Sequence, residues 1–240
     1  PTIVPAVPLL LEKIYNKLKA GIQAKPAARL LWALGVRAPV RKGIMDKLGG
    51  RIRLLISGGA PADPLMLRGL EELGLKAREG YGITECSPVL TLAPFEEPIR
   101  PGSCGKPLPG VDMCVMDANS EGVGELAARG GNIMKGYFNN PAASAEVFRD
   151  GWFLTGDLGY MDEDNYVFIT GRKKALIVNR EGKNIYPEEV ELQINQSPLI
   201  LESVVVGYLP PGENVGEQVG VIVVPDEEGL AALEASEKRK

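Results

Sequence analysis

The stretch Ile52-Arg53-Leu54-Leu55-Ile56-Ser57-Gly58-Gly59-Ala60-Pro61-Ala62-Asp63-Pro64 decides how this chain is read. A short apolar run that stops at small residues predicts a buried strand entering a tight loop. Asp63 then offers an N-cap and Pro64 suits the first helical position, and the helix they open runs through Leu73 to a stop at Gly74. Strand, glycine loop and helix in that order point to an α/β fold. A second strand is expected over residues 75–79, ending at Gly80-Tyr81-Gly82.

Working outward, apolar positions at helical spacing (Leu10, Ile14, Leu18, Ile22, then Leu30, Leu31, Leu34) predict helices over residues 9–34. From 111 to 180 the pattern changes to short strands and tight turns. Strands are expected at Val111–Met116, Gly124–Arg129, Trp152–Thr155, Tyr166–Ile169 and Ala175–Val178. Asp162-Glu163-Asp164-Asn165 reads as a hairpin turn. It is not a calcium loop, because Val167 stands where such a loop needs glycine. A helix is expected from Pro187 to about Gln196, then strands at 201–207 and 218–224. The boundary is placed near Gly171–Lys174. Residues 1–110 form an α/β part, 111–171 a β-rich part, and 172–240 a small α+β domain cut short.

The 240 residues are 45% hydrophobic, enough for a real core, and the 29 glycines and 19 prolines are scattered as single turns. A net charge of −4 gives no broad basic field for nucleic acid. Residues 1–45 depart from this, with Lys13, Lys17, Lys19, Lys25, Arg29, Arg37, Arg41 and Lys42 against Glu12. That run reads as a solvated helical face, or as a surface that meets missing protein. The alternative is weak peripheral contact with anionic lipid. Cys86, Cys104 and Cys114 are odd in number and lack CxxC spacing, which suits a reducing cytosol. Asn195-Gln196-Ser197 matches a glycosylation acceptor, but without a secretory signal it carries little weight. No apolar run reaches transmembrane length. The absence of His excludes a Ser-His-Asp triad, a Cys-His pair and any His-ligated metal within the chain.

Familiar phosphate-binding signatures fail. In the would-be Walker loop, Arg100 stands in place of the first Gly and Pro107 follows Lys106. Glu85 takes the last Gly position of Gly80-Tyr81-Gly82-Ile83-Thr84-Glu85. Two segments remain. Ser57–Pro61 follows a strand with residues small enough for backbone to approach a flat ligand. Tyr81–Glu85 supplies an aromatic face, a hydroxyl and a carboxylate, suited to a base, a phosphate oxygen and hydrated Mg²⁺. The blander readings are an ordinary βα turn and a capped loop with Tyr81 in the core. Having both segments favours the ligand.

Ser57–Pro61, Tyr81–Pro88, Gly105–Gly110, Gly124-Glu125-Leu126, Gly136-Tyr137, Trp152–Asp157, Gly171–Lys174 and Gly182–Glu191 occur in the order seen in adenylate-forming enzymes. Over roughly residues 1–225 the chain resembles that family of acyl-CoA synthetases, luciferases and peptide-synthetase adenylation domains. Val7–Tyr15 is similar to the long-chain fatty acyl-CoA synthetase branch. The resemblance implies that residues 1–171 are the C-terminal portion of a large AMP-binding domain and 172–240 a hinge with part of a small one. It implies a ligase that uses ATP and Mg²⁺ to make an acyl-adenylate from a medium- or long-chain fatty acid, and passes the acyl group to coenzyme A. Gly59, Ala60 and Pro61 would border adenine, with Gly80 and Gly82 around the stacked ring of Tyr81. Thr84 would hold the α-phosphate and Glu85 the Mg²⁺. Asp157 would accept from the ribose hydroxyls, Arg172 would also reach the ribose, Lys174 would be the hinge, and the segment from Gly182 would line the thiol's path. Cys86 is expected to be packing, not a nucleophile.

The family's Ser/Thr/Gly-rich phosphate loop and its C-terminal catalytic Lys have no counterpart here, so a fragment is expected, nearly inactive alone in adenylation. A short-chain, aryl or amino acid substrate stays open, since Val89-Leu90-Thr91-Leu92 fits an aliphatic chain or a core equally well. So do a non-catalytic nucleotide-binding scaffold and a membrane-surface module. The acceptor thiol and the oligomeric state are likewise open.

Overall fold

A computed structural model describes residues 1–210, 215–227, 229–231 and 233. The chain folds as α/β and divides into two compact units. The first comprises Pro1–Cys114, Ala127–Thr155 and Met161–Ile169. The second comprises Val115–Leu126, Gly156–Tyr160 and the chain from Thr170 onward.

The first unit opens with β1 (Ile3–Ala6), α1 (Pro8–Gln23), α2 (Pro26–Ala33), α3 (Ala38–Lys47), β2 (Leu54–Ser57), α4 (Pro64–Glu72), β3 (Ala77–Tyr81), β4 (Thr91–Leu92) and β5 (Lys106–Pro107). The sheet order is β1-β2-β3-β4-β5. β1, β2 and β3 run parallel, and β4 and β5 pair antiparallel. The α4 termini form as their local chemistry dictates. Asp63 accepts from the Leu65 N–H at 2.8 Å, Pro64 fills the first turn, and Gly74 (φ +92) lets Leu75 N–H reach back to Leu70 O. Leu11, Ile22, Val40, Ile44, Leu55, Met66, Leu67 and Leu70 build one core from the helices and the parallel strands. The α1–α4 crossing is close: a Cβ on Gly69 would lie 2.4 Å from the Tyr15 ring.

Residues 9–34 form two helices, as the spacing predicts. One expectation shifts in this unit: the strand expected at 75–79 is Ala77–Tyr81. Pairing of Gly80 with Leu92 and Tyr81 with Thr91 carries that strand through the glycine.

β6 (Val111–Met116), β7 (Gly124–Gly130), β9 (Trp152–Met161) and β10 (Val167–Arg172) form a sheet in the order β10-β9-β7-β6. α5 (Pro141–Val147) precedes β8 (Phe148–Arg149), which makes a short hairpin with β9. β9 is longer than the expected Trp152–Thr155. Gly156 sits at φ +75 inside it, and its N–H is taken by Glu125 at 3.2 Å, so the strand bends and continues. The expected turn at Asp162–Asn165 is present, with Asp162 Oδ1 accepting from Asp164 and Tyr166.

The second unit goes on with β11 (Ile177–Val178) paired to β12 (Asn184–Ile185), α6 (Pro187–Ile194), β13 (Ile200–Tyr208) and β14 (Gln218–Pro225). Ala175, expected to begin a strand, instead closes a one-turn helix, Lys173–Ala175. α6 is tied to β13 by Glu191, which accepts from Val205 N–H at 2.7 Å, and by the Ser203 hydroxyl donating to Asn195 at 2.8 Å.

Candidate functional site

The candidate residues of the first unit gather at the carboxyl ends of β2 and β3. Neighbouring parallel strands are registered Leu55 to Ala77 and Ser57 to Glu79, so the loops that leave them emerge side by side. The approach is close: a Cβ on Gly58 would lie 3.4 Å from Gly80 O. Gly59 needs its left-handed φ of +85, and Gly59, Ala60 and Pro61 are exposed at the rim. The Ser57 hydroxyl at the root of the loop is buried and has no hydrogen-bond partner among the described residues.

Glu79 ties the end of the first loop to β3. Its carboxylate accepts the Ala62 N–H at 3.2 Å. Burial pushes this carboxyl up to about 7, against the smaller opposing effect of the Ala62 bond. A carboxylate in an expected strand, two residues before Tyr81, is the signal that could find it.

Tyr81, half-buried, closes β3 and packs against the cluster of Cys86, Leu90, Ala128 and Phe153. The tight course after it depends on Gly82, where a Cβ would meet Pro88 O at 1.9 Å. Thr84 is exposed at the start of a one-turn helix, Thr84–Cys86. Glu85 is half-buried, and the Tyr137 hydroxyl donates to its Oε1 at 3.0 Å. Tyr137 is in turn fixed by its own N–H donating to Ser144 Oγ at 2.9 Å. The sequence gives Tyr137 no role beyond the Gly136-Tyr137 motif, since nothing at a separation of 52 residues marks the pair. Among the described residues no three His, Cys, Asp or Glu side chains group to hold a metal. A lone carboxylate therefore suits a divalent ion that keeps most of its water or shares phosphate oxygens.

Cys86 is buried, and burial with the Glu85 charge pushes its thiol up to about 12, which leaves no reactive thiolate. In Val89–Leu92, Leu90 and Thr91 are fully buried, and the Thr91 hydroxyl donates to Cys104 O at 2.6 Å, so these two belong to the core.

In the second unit Asp157 and Arg172 meet directly, with Arg172 Nε 2.9 Å from Asp157 Oδ1. The Asp157 side chain is 5% exposed and that of Arg172 is 64% exposed. A guanidinium donor at the surface beside a buried, acceptor-only carboxylate suits a vicinal diol, whose hydroxyls both donate and accept. Lys174 is exposed in the one-turn helix that follows. Gly171 is crowded, since a Cβ there would lie 2.6 Å from Glu188 Oε2.

Against known proteins, the model of the AMP-binding enzyme family matches residues 1–138. The chain is 36% identical over 236 residues to a long-chain-fatty-acid–CoA ligase of Mycobacterium bovis, covering 88% of this chain and 38% of that protein. It is 38% identical over 160 residues to a 2-succinylbenzoate–CoA ligase of Geobacillus kaustophilus, covering 65% and 32%. Among solved structures it is similar to O-succinylbenzoate coenzyme A synthetase of Bacillus subtilis in complex with ATP and magnesium. There the identity is 28% and the TM-score 0.73, over 93% of this chain and 42% of that one. The chain thus spans 38% of the ligase from Mycobacterium bovis and 32% of that from Geobacillus.

Proposed function

The chain belongs to the AMP-binding enzyme family, and from that premise we propose that it is part of an ATP-dependent ligase joining a medium- or long-chain fatty acid to coenzyme A. The observation that carries the reading is the convergence of Ser57–Pro61 and Gly80–Glu85 at the ends of two adjacent parallel strands. The match to a fatty-acid ligase supports the acyl class, and the match to a succinylbenzoate ligase keeps an aryl acid as the second reading. The proposed division is a large domain through residue 171 and, from 172, a hinge at Lys174 with part of a small domain. The proposed setting is cytoplasmic. Among the described residues no helix is long and apolar enough to cross a membrane.

A carboxylate is a poor electrophile. Its oxygen attacks the α-phosphorus of ATP, the bond to the bridging oxygen breaks, and pyrophosphate leaves. The thiol of coenzyme A then attacks the acyl carbon and AMP departs. Mg²⁺, when bound, neutralises charge on the phosphate oxygens. Glu85 is the group that would hold it, oriented by Tyr137. The Thr84 hydroxyl donates to an α-phosphate oxygen, where charge builds in the transition state. Tyr81 stacks on adenine, with the backbone of Gly59, Ala60 and Pro61 along the ring and Gly80 and Gly82 leaving room beside it. Asp157 accepts from the ribose hydroxyls and Arg172 donates to the ribose.

The test is ATP–pyrophosphate exchange by the full-length protein with fatty acids from short to long, together with 2-succinylbenzoate. Exchange rising with chain length supports the reading, and exchange with the aryl acid alone replaces it by the second one. Asp157→Ala should weaken AMP binding about 10- to 100-fold. Unchanged binding would leave a scaffold whose nucleotide residues do nothing.

A further inference from the structure

We infer that Glu125 is a positioning residue, whose buried carboxylate grips the chain on both sides of the Asp157–Arg172 pair and so sets the groups that would recognise a ribose. The inference rests on the ribose reading of Asp157 and Arg172 given above.

Glu125 lies in β7 and is 6% exposed. Its two oxygens serve two segments. Oε1 accepts the Gly156 N–H at 3.2 Å, and Oε2 lies 2.7 Å from Lys173 Nζ. Gly156 immediately precedes Asp157, and Lys173 immediately follows Arg172. One side chain therefore spans both flanks of the ion pair, whose own Nε–Oδ1 distance is 2.9 Å.

The flank at Gly156 is the one that needs holding. Its φ of +75 is a state that glycine enters and leaves with little penalty, and a change there rotates the peptide that aims Asp157. An acceptor fixed inside the unit, bonded to that N–H, removes the freedom. On the other flank, Lys173 anchors the one-turn helix Lys173–Ala175, and with it the backbone from which Arg172 projects. A buried carboxylate is expected to be paired and hydrogen-bonded somewhere. Partners placed one residue from each ribose candidate make this one a part of the site's geometry.

A purely structural pair and a positioning pair predict different outcomes. Lost stability weakens every nucleotide alike, whereas lost positioning weakens only the recognition of the hydroxyls. The experiment measures affinities for AMP and for 2′,3′-dideoxy-AMP by calorimetry in the full chain, for the parent, Glu125→Gln, Lys173→Met, Lys173→Arg and Asp157→Ala. Thermal melting monitors the fold. The parent should prefer AMP by about 10- to 100-fold, the range for losing hydrogen bonds to a charged group. In Glu125→Gln and Lys173→Met that preference should fall to about 3-fold or less, because a single mis-aimed bond already forfeits most of the discrimination. Lys173→Arg, which restores the cation, should keep the preference. If both variants keep it while Asp157→Ala loses it, Glu125 is structural only and the inference is overturned. If Asp157→Ala also keeps it, or the folded parent does not bind AMP, the ribose reading itself has failed. Should Glu125→Gln not fold, Lys173→Met decides, since the Lys173 side chain is 57% exposed and its loss leaves the core intact.

Discussion

Two carboxylates, one in each unit, hold a backbone amide beside a candidate nucleotide segment, and they do so under opposite electrostatic conditions. Glu79 accepts the Ala62 N–H at 3.2 Å, and no Lys or Arg pairs with it among the described residues. Burial therefore lifts its carboxyl to about 7, where a neutral acid is the cheaper occupant of a poorly solvated place. Glu125 accepts the Gly156 N–H at the same distance and has the Lys173 ammonium 2.7 Å away. The grip of Glu79 answers to protons, and that of Glu125 answers to the presence of a cation. Proximity to a backbone amide does not by itself fix how a buried acid behaves.

Glu79 and Glu125 mark two corners of the chain, and the largest effect is expected beside the first, at Gly82, where the chain has no room to give. Gly82→Ala would place a methyl 1.9 Å from Pro88 O and 2.7 Å from Val89 Cα, both backbone atoms. A loss of about 3 kcal/mol is expected on urea unfolding, the upper range for overpacking. A melt like that of the parent would mean that the Tyr81–Pro88 course is not as tightly fixed as drawn.

Next comes the cation of the second corner. Lys173→Met leaves Glu125 buried with only the Gly156 amide and should lower stability by about 2 kcal/mol. That is less than for a fully buried pair, because Lys173 is largely solvated. A neutral result would show that the two corners differ less than the geometry implies.

Glu79→Gln should act with the opposite sign. The folded-state pKa of Glu79 is raised from 4.5 to about 7, so the parent carries its full stability below pH 4.5 and loses it as pH rises towards 7. The glutamine keeps an acceptor for Ala62 and cannot ionise. It should match the parent near pH 4 and exceed it by about 1.5 kcal/mol at pH 8, a value discounted for partial exposure. A difference that stays flat between pH 4 and 8 refutes the account of this corner.

The smallest change separates holding a ligand from holding the fold. Tyr137→Phe removes the 3.0 Å bond to Glu85. It should cost less than about 1 kcal/mol in stability and weaken Mn²⁺ binding, read by paramagnetic resonance, about 3- to 10-fold. Equal Mn²⁺ affinity would leave Tyr137 without a part in orienting Glu85.

What could be read in advance followed the range of the interactions. The α4 termini are set by Asp63, Pro64 and Gly74 within a few residues of one another, and so are legible. The turn at Asp162–Asn165 is equally local. β6 and the ribbon of β13 and β14 show in their apolar patterns. Tyr81, Thr84, Glu85, Asp157 and Arg172 were nameable because their motifs stand in order along the chain. β9 was cut short in the reading, since Gly156-Asp157 looks like a strand end to any rule that weighs local propensity. The acceptor that lets the strand continue lies 31 residues away in Glu125.

By itself, the sequence determined the α/β class, the local caps and turns, the candidate residues for a nucleotide, and the lack of histidine in these 240 residues. Each of these is fixed by residue type or by neighbours within a few positions. Tertiary structure alone decided which carboxylates are gripped, and by what: Glu79 by an amide, Glu125 by an amide and an ammonium, Glu85 by a phenol. Those partners lie 17 to 52 residues apart. A charge's behaviour depends on the solvent it loses and the groups folding brings against it, and neither is written in its immediate sequence.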